Sequence, residues 1–298
     1  MTSTKSENTD GILLLDKPLG LTSNAALSRA KRVLGIRKAG HTGALDPLAT
    51  GLLPLCFGQA TKVSAFLLDA DKGYVAQVTL GQTTASGDAE GEVIERREVP
   101  ELDRAALEDV LDDFRGPIDQ VPPMYSALKH KGRRLHDLAR AGIEVERKPR
   151  RVTIHRLDVL GFDLPNLTLR VNCSKGTYIR SIAMDVGERL GCGAHLSGLR
   201  REFSGPFSVS DAVSLERLED MEPAEARALL LTPDAALAAL PRVTLDAADA
   251  TDIGHGKVVE TDFAAAEQVR IYSSGGFMGI GTVDGGGRLR VRRLFVGQ

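Results

Sequence analysis

Gly40-His41-Thr42-Gly43-Ala44-Leu45-Asp46-Pro47-Leu48-Ala49-Thr50-Gly51-Leu52-Leu53-Pro54-Leu55 is a sixteen-residue run that holds a single carboxylate among glycines and apolar side chains. Its three glycines and two prolines let a backbone turn sharply and approach a ligand closely. No second carboxylate, serine or cysteine stands beside Asp46. A lone aspartate held this way can serve as a covalent nucleophile. It can also simply cap a turn before Pro47, as aspartate often does. Paired-carboxylate hydrolysis needs two acids sharing one site, and this run offers one.

Outward from this run, residues 11–15 are apolar and closed by the turn signal Asp16-Lys17-Pro18-Leu19-Gly20, which predicts a buried strand. Thr22 and Ser23 supply an N-cap for a helix with Ala26, Ala30, Val33 and Leu34 at helical spacing, ended by Gly35. The run at 40–55 reads as a loop, followed by a strand at 54–57, a helix at 60–70 and an alternating strand at 74–80. Residues 83–91 read as loop. Helices are predicted at 103–114 and 134–141. Two strands flank the turn Asp163-Leu164-Pro165-Asn166, and a helix over 178–190 is stopped by Gly191. Strands and helices mix without a regular β-α-β beat, so the expected class is α+β. Residues 215–240 predict short helices interrupted at Pro223 and Pro233. Beyond Pro241, the turns Ser274-Gly275-Gly276-Phe277 and Asp284-Gly285-Gly286-Gly287 separate short β-prone runs, as in a small barrel. The expected units are residues 11–240 and residues 241–298.

The chain has 298 residues, 42% of them hydrophobic, enough to bury a sizeable core. No apolar run approaches the roughly 18 residues of a membrane span, and the polar opening at residues 1–10 lacks a signal-peptide core. A cytoplasmic protein without a membrane partner is expected. Cys56, Cys173 and Cys192 are odd in number and widely separated, so they read as core thiols and not as a zinc site or disulfide framework. Gly254-His255-Gly256-Lys257 lacks the spacing of a phosphate loop, which removes nucleotide binding.

A formal net charge of -2 conceals an uneven distribution. Residues 86–120 carry twelve acidic side chains against four arginines, whereas residues 129–156 carry ten Lys and Arg against Asp137, Glu144 and Glu146. Such a basic stretch on an otherwise acidic protein can track phosphates, or be a solvated helix face.

The run around Asp46 resembles the signature of the tRNA pseudouridine synthases that modify the T-loop uridine, the pseudouridine-55 family. The aspartate of its Leu-Asp-Pro is that family's catalytic residue. Further matches are Leu14-Leu15-Asp16-Lys17-Pro18, Asp71-Lys72-Gly73-Tyr74, Lys175-Gly176-Thr177-Tyr178-Ile179-Arg180-Ser181 and His195-Leu196-Ser197-Gly198-Leu199-Arg200-Arg201. The resemblance implies that Lys17 supports the active-site floor and that Tyr74 stacks on the target uracil. It places Tyr178 and Arg180 next to Asp46, has Leu199 pack near the base, and has His41 contact the RNA and help the nucleotide flip. An arginine beside a carboxylate favours its ionised form, which a nucleophile requires. His41 lacks the second His or Cys that zinc would need. Residues 120–129 and the basic tract after them resemble the family's insertion, near 120–156, that grips the tRNA T-stem loop, with Lys129, Lys131, Arg133 and Arg134 as RNA contacts. The C-terminal runs at 279–283 and 290–295 resemble its PUA-like barrel, a weaker match. The implied protein is a monomer that uses neither metal nor cofactor. It isomerises uridine 55 on an α+β catalytic domain with a mixed, mainly antiparallel sheet. Attack at uracil C6 and action at ribose C1′ both stay open, as does a non-catalytic RNA-binding or RNA-folding role.

Overall fold

The strand Gly11–Lys17 is buried on both faces, which is why its sequence is a continuous apolar run and not an alternation. Leu13 and Leu15 point into one core, while Ile12 and Leu14 point into another. A computed structural model describes residues 10–295 of the chain. The expectation about a signal peptide therefore rests almost wholly on residues outside the described ones. Among the described residues no helix is long and apolar enough to cross a membrane.

Gly11–Lys17 lies near one end of a ten-stranded sheet. From the Val213–Ser214 edge its path runs through Gly11–Lys17, Ala49–Phe57, Ala194–Ser204, Lys72–Leu80, Asn166–Cys173 and Arg150–Asp163 to Gly116–Gln120. Pairings along that path are antiparallel apart from Gly11–Lys17 with Val213–Ser214 and Ala49–Phe57 with Ala194–Ser204. The mixed, mainly antiparallel α+β sheet expected from the sequence is thus the observed one. The helices Ser23–Leu34, Arg104–Asp112 and Ile179–Arg189 bury Ala30, Leu107, Leu111, Ile182 and Val186 against one face of the sheet. Thr22 caps the first of them by accepting from the Ala25 N–H at 3.1 Å.

Three local readings change. The strand predicted at 54–57 starts at Ala49 and takes in the second half of the run read as loop. Pro54 is tolerated inside it because its carbonyl still accepts, from the Thr42 N–H at 3.1 Å. The helix predicted at 60–70 divides into a 3₁₀ segment Gly58–Val63 and an α-helix Ser64–Asp69. The hydroxyls of Thr61 and Ser64 each donate to a carbonyl three residues back, which favours the tighter turn. The loop predicted at 83–91 begins in a short strand, Gln82–Thr84, paired with Val93–Arg96.

The C-terminal residues form a curled five-stranded sheet in the order Arg242–Thr244, Ala266–Ser273, Gly276–Val283, Arg288–Leu294 and Val259–Glu260, with the helix Ala247–Gly254 packed on it. It also shares a core with the back of the large sheet. Tyr272, Phe277, Ile280 and Phe295 bury themselves with Ile12, Leu14, Leu52 and Cys56. The Phe277 ring lies 5.5 Å from that of Tyr272 and 5.0 Å from that of Phe295, centroid to centroid. Phe277→Ala should therefore cost about 3–5 kcal/mol of stability, read as a lower urea midpoint. A midpoint equal to wild type would show that this seam contributes nothing.

Candidate active site

Asp46 occupies the turn between the strands Ala39–His41 and Ala49–Phe57, which pair with each other and fold the run 40–55 back on itself. The turn is tied down from several sides. The Ser23 hydroxyl accepts from the Leu45 N–H at 2.7 Å and donates to the Leu45 carbonyl at 3.1 Å. Pro47 accepts from the Gly20 N–H at 2.8 Å, and Asp46 accepts through its own carbonyl from the Ala49 N–H at 3.0 Å. Gly51, at φ 97°, lets this strand touch Ala194–Ser204, for a Cβ there would lie 2.3 Å from the Arg201 carbonyl oxygen.

The Asp46 carboxylate stands at the floor of an open cleft of about 1090 Å³, with 47% of its side chain accessible. Arg180 Nη2 lies 2.9 Å from Asp46 Oδ2. That arginine is only 7% exposed and is held on every side. Nη2 also donates to the Tyr125 carbonyl at 2.7 Å and Nη1 to the Ser86 carbonyl at 3.0 Å, while Nε lies 3.6 Å from Asp88 Oδ2. Asp88, 4% exposed, is itself fixed by the Ser86 hydroxyl and the Glu90 N–H. Desolvation raises the Asp46 carboxyl above the usual carboxylate range, against the lowering pull of Arg180.

Tyr74 lies opposite Arg201 in the adjacent strand and presents its ring to the cleft. Arg201 is buried, with Nε donating to the Leu52 carbonyl at 2.6 Å and Nη2 to the Gly43 carbonyl at 3.2 Å. Burial first, and the Arg201 charge second, lower the His41 pKa, so that the imidazole is neutral at neutral pH. Among the described residues its Nδ1 is buried without a hydrogen-bond partner. Burial likewise raises the Tyr74 and Tyr178 phenols and keeps them protonated.

Of the residues singled out in the sequence, Asp46, His41, Tyr74, Tyr178, Arg180 and Leu199 line this one cleft. Lys17 does not. It is buried beneath the floor, its ammonium donating to the Pro18 carbonyl at 2.8 Å and the Leu21 carbonyl at 2.6 Å, and desolvation lowers its pKa to about 8. Lys17 is thus a buried side chain held by two carbonyls and not a lining residue of the cleft. Among the four basic residues, Arg134 reaches the cleft wall. Lys129 and Arg133 belong to a two-rung hairpin with Lys131 at its tip, exposed and, among the described residues, in no ion pair. No sequence reading gave Asp88, Arg201, Ser23 or the carbonyl of Tyr125 a role in the site.

Residues 31–179 match the TruB family pseudouridylate synthase (N terminal domain), residues 180–238 the tRNA pseudouridylate synthase B C-terminal domain, and residues 241–295 the pseudouridine synthase II TruB C-terminal domain. The chain is 54% identical over 286 residues to tRNA pseudouridine synthase B of Aromatoleum aromaticum, covering 96% of this chain and 92% of that protein. It is 53% identical over 290 residues to that of Azoarcus sp., covering 97% and 96%. In three dimensions it matches a chain in the crystal structure of a Cbf5-Nop10-Gar1 complex with a TM-score of 0.73 and 27% identity, covering 96% of this chain and 85% of the other. The fold is that of a pseudouridine synthase, an isomerase. The chain belongs to the TruB family of these enzymes.

Proposed function

We propose that this chain converts the uridine at position 55, in the T-loop of tRNA, to pseudouridine, with Asp46 as the nucleophile. The observation that carries the reading is the Asp46–Arg180 pair, 2.9 Å apart at the floor of a cleft walled by Tyr74, Tyr178 and Leu199. The tRNA substrate is supported by the shared name of the relatives, tRNA pseudouridine synthase B.

The reaction breaks the bond from N1 to C1′ and forms one from C5 to C1′. C5 loses a proton and N1 gains one, so the atoms balance without a redox partner. Asp46 either adds to uracil C6 or acts at C1′. Neither site is reachable in a stacked base, so the nucleotide must be extruded into the cleft. Tyr74 offers a ring face for the extruded uracil, a contact worth roughly 1–3 kcal/mol per base. The neutral His41 can fill space or donate a hydrogen bond beside it without adding a charge. Leu199, half-buried on the strand between Asp46 and Tyr74, walls the base pocket. Lys129, Lys131 and Arg133 on the exposed hairpin and Arg134 at the rim form a basic path into the cleft for the stem phosphates.

Carbodiimide-dependent primer extension on treated tRNA tests the reading. A stop at the T-loop uridine is expected, and a minimal T-stem-loop hairpin should be converted as well, because RNA sequence is read chiefly in loops. A stop at another nucleotide would overturn the position. Wild-type protein that binds tRNA and produces no stop would favour the RNA-folding role.

The acid limb of the pH profile reports Asp46. Its raised pKa means that the carboxylate is neutralised, and the rate lost, at a pH above the ordinary aspartate value of about 3.9. A single-turnover rate that stays flat down to about pH 4, the ordinary aspartate range, in protein still folded by circular dichroism would contradict the raised pKa of Asp46.

A further inference from the structure

The basic excursion leaves and re-enters the large sheet at one rung, because Gln120, the last residue of its edge strand, pairs with Arg150, the first residue of the next. At that rung stands a 2% exposed glutamine side chain. Gln120 Oε1 accepts from the Tyr178 N–H at 2.8 Å, and Gln120 Nε2 donates to the Tyr178 carbonyl at 3.0 Å. Tyr178 is the N-cap of the helix Ile179–Arg189 and has no side-chain cap of its own, so this amide fixes where the helix begins. Two residues of the first helical turn, Arg180 and Ser181, are tied to the same segment. Ser181 Oγ donates to the Val121 carbonyl at 3.1 Å, and Arg180 Nη2 bridges the Tyr125 carbonyl and Asp46.

We propose that Gln120 is a positioning residue for catalysis, locking Tyr178 and hence Arg180 and Asp46 to the root of the excursion that grips the RNA. Both amide atoms must be satisfied at a buried site, and only a planar donor-acceptor pair matches the two adjacent backbone groups of Tyr178. An alanine leaves the Tyr178 N–H and carbonyl without that partner and frees the start of the helix. The Arg180 guanidinium then loses its alignment, and misplacement of a nucleophile by about 1 Å costs on the order of 10²-fold in rate.

The inference rests on the Asp46 reading, so wild type and Asp46→Asn are run alongside: conversion by the first and none by the second establishes that reading independently. Gln120→Ala is compared with wild type by single-turnover conversion at saturating enzyme, by filter binding to tRNA and by urea unfolding. The expected result is a rate lowered roughly 10- to 100-fold with tRNA affinity unchanged. Gln120→Glu keeps the acceptor for the Tyr178 N–H and loses the donor, so its rate should fall between the two. It also preserves size, and it carries the test should the alanine variant not fold. Phe277→Ala, destabilised at a distant seam, should keep the wild-type single-turnover rate, which separates lost alignment from lost stability. A folded Gln120 variant that reacts at the wild-type rate overturns the proposal. So does a deficit located wholly in tRNA affinity.

Discussion

Asp46→Asn should lower pseudouridine formation by at least about 10⁴-fold, the scale on which removing a covalent nucleophile acts, while folding and tRNA affinity persist. Structure favours a clean result. The Asp46 side chain is nearly half exposed, and the turn is anchored by main-chain bonds and by Ser23, none of which uses the Asp46 carboxylate. An amide oxygen can still accept from Arg180 Nη2, so the guanidinium keeps a partner. What the amide lacks is a basic, anionic oxygen. Asp16→Asn is the matching control. Arg200 grips Asp16 at 2.7 and 3.1 Å on the protein surface, and such pairs contribute about 0–1 kcal/mol. That variant should keep most of its activity. An Asp46→Asn protein working at a normal rate would remove the nucleophile assignment.

The parts of the site that the sequence disclosed are those whose side chains carry the chemistry. Asp46 stood alone in a glycine-marked run, and Tyr178 and Arg180 stood two residues apart in a second motif, so their roles could be proposed before any geometry was known. The residues that hold Arg180 were hidden for three separate reasons. Asp88 is one of twelve acids in an acidic stretch, and nothing in its neighbours announces that it alone is buried. Tyr125 acts through its carbonyl, a group every residue owns. Gln120 acts at long range, on a backbone 58 residues away. Arg201 was discoverable, because it lies two positions from Leu199 on an alternating strand and so shares its face. Lys17, for which the motif implies a supporting place, spends its ammonium on two carbonyls and lines no part of the cleft.

In the fold, the helices with caps and periodic apolar faces were legible, as Ser23–Leu34 and Arg104–Asp112 show. The strand Ala49–Phe57 was half missed because Gly51 and Pro54 are breakers in isolation. Tertiary contact reverses that meaning. Gly51 is required by the approach of Arg201, and Pro54 loses only a donor. Likewise no local signal told that Tyr272 and Phe277 pack across the boundary expected near residue 241 onto Ile12 and Leu14.

Arg180→Gln should damage both rate and stability, and the two effects should separate in a double variant. Losing a charge-assisted hydrogen bond to the nucleophile removes about 1.5–3 kcal/mol, which is roughly 10- to 150-fold in rate. Without Arg180 the neighbouring positive charge that opposes desolvation is gone, so the Asp46 pKa rises further and the loss deepens at neutral pH. Stability falls for a different reason. Asp88 stays buried beside the vacated guanidinium, and an uncompensated buried charge costs about 3–5 kcal/mol. Converting Asp88 to Asn in the same chain neutralises that charge and should recover most of the lost unfolding free energy. It should recover none of the rate, because Asp46 still lacks its partner. Arg180→Lys completes the set: it keeps the charge but cannot serve Asp46, Tyr125 and Ser86 at once, so it should remain folded and turn over slowly. Urea unfolding and single-turnover conversion read the two axes. If Asp88→Asn/Arg180→Gln regained activity together with stability, Arg180 would be a scaffold for the buried aspartate and not the group that keeps Asp46 ionised and aimed.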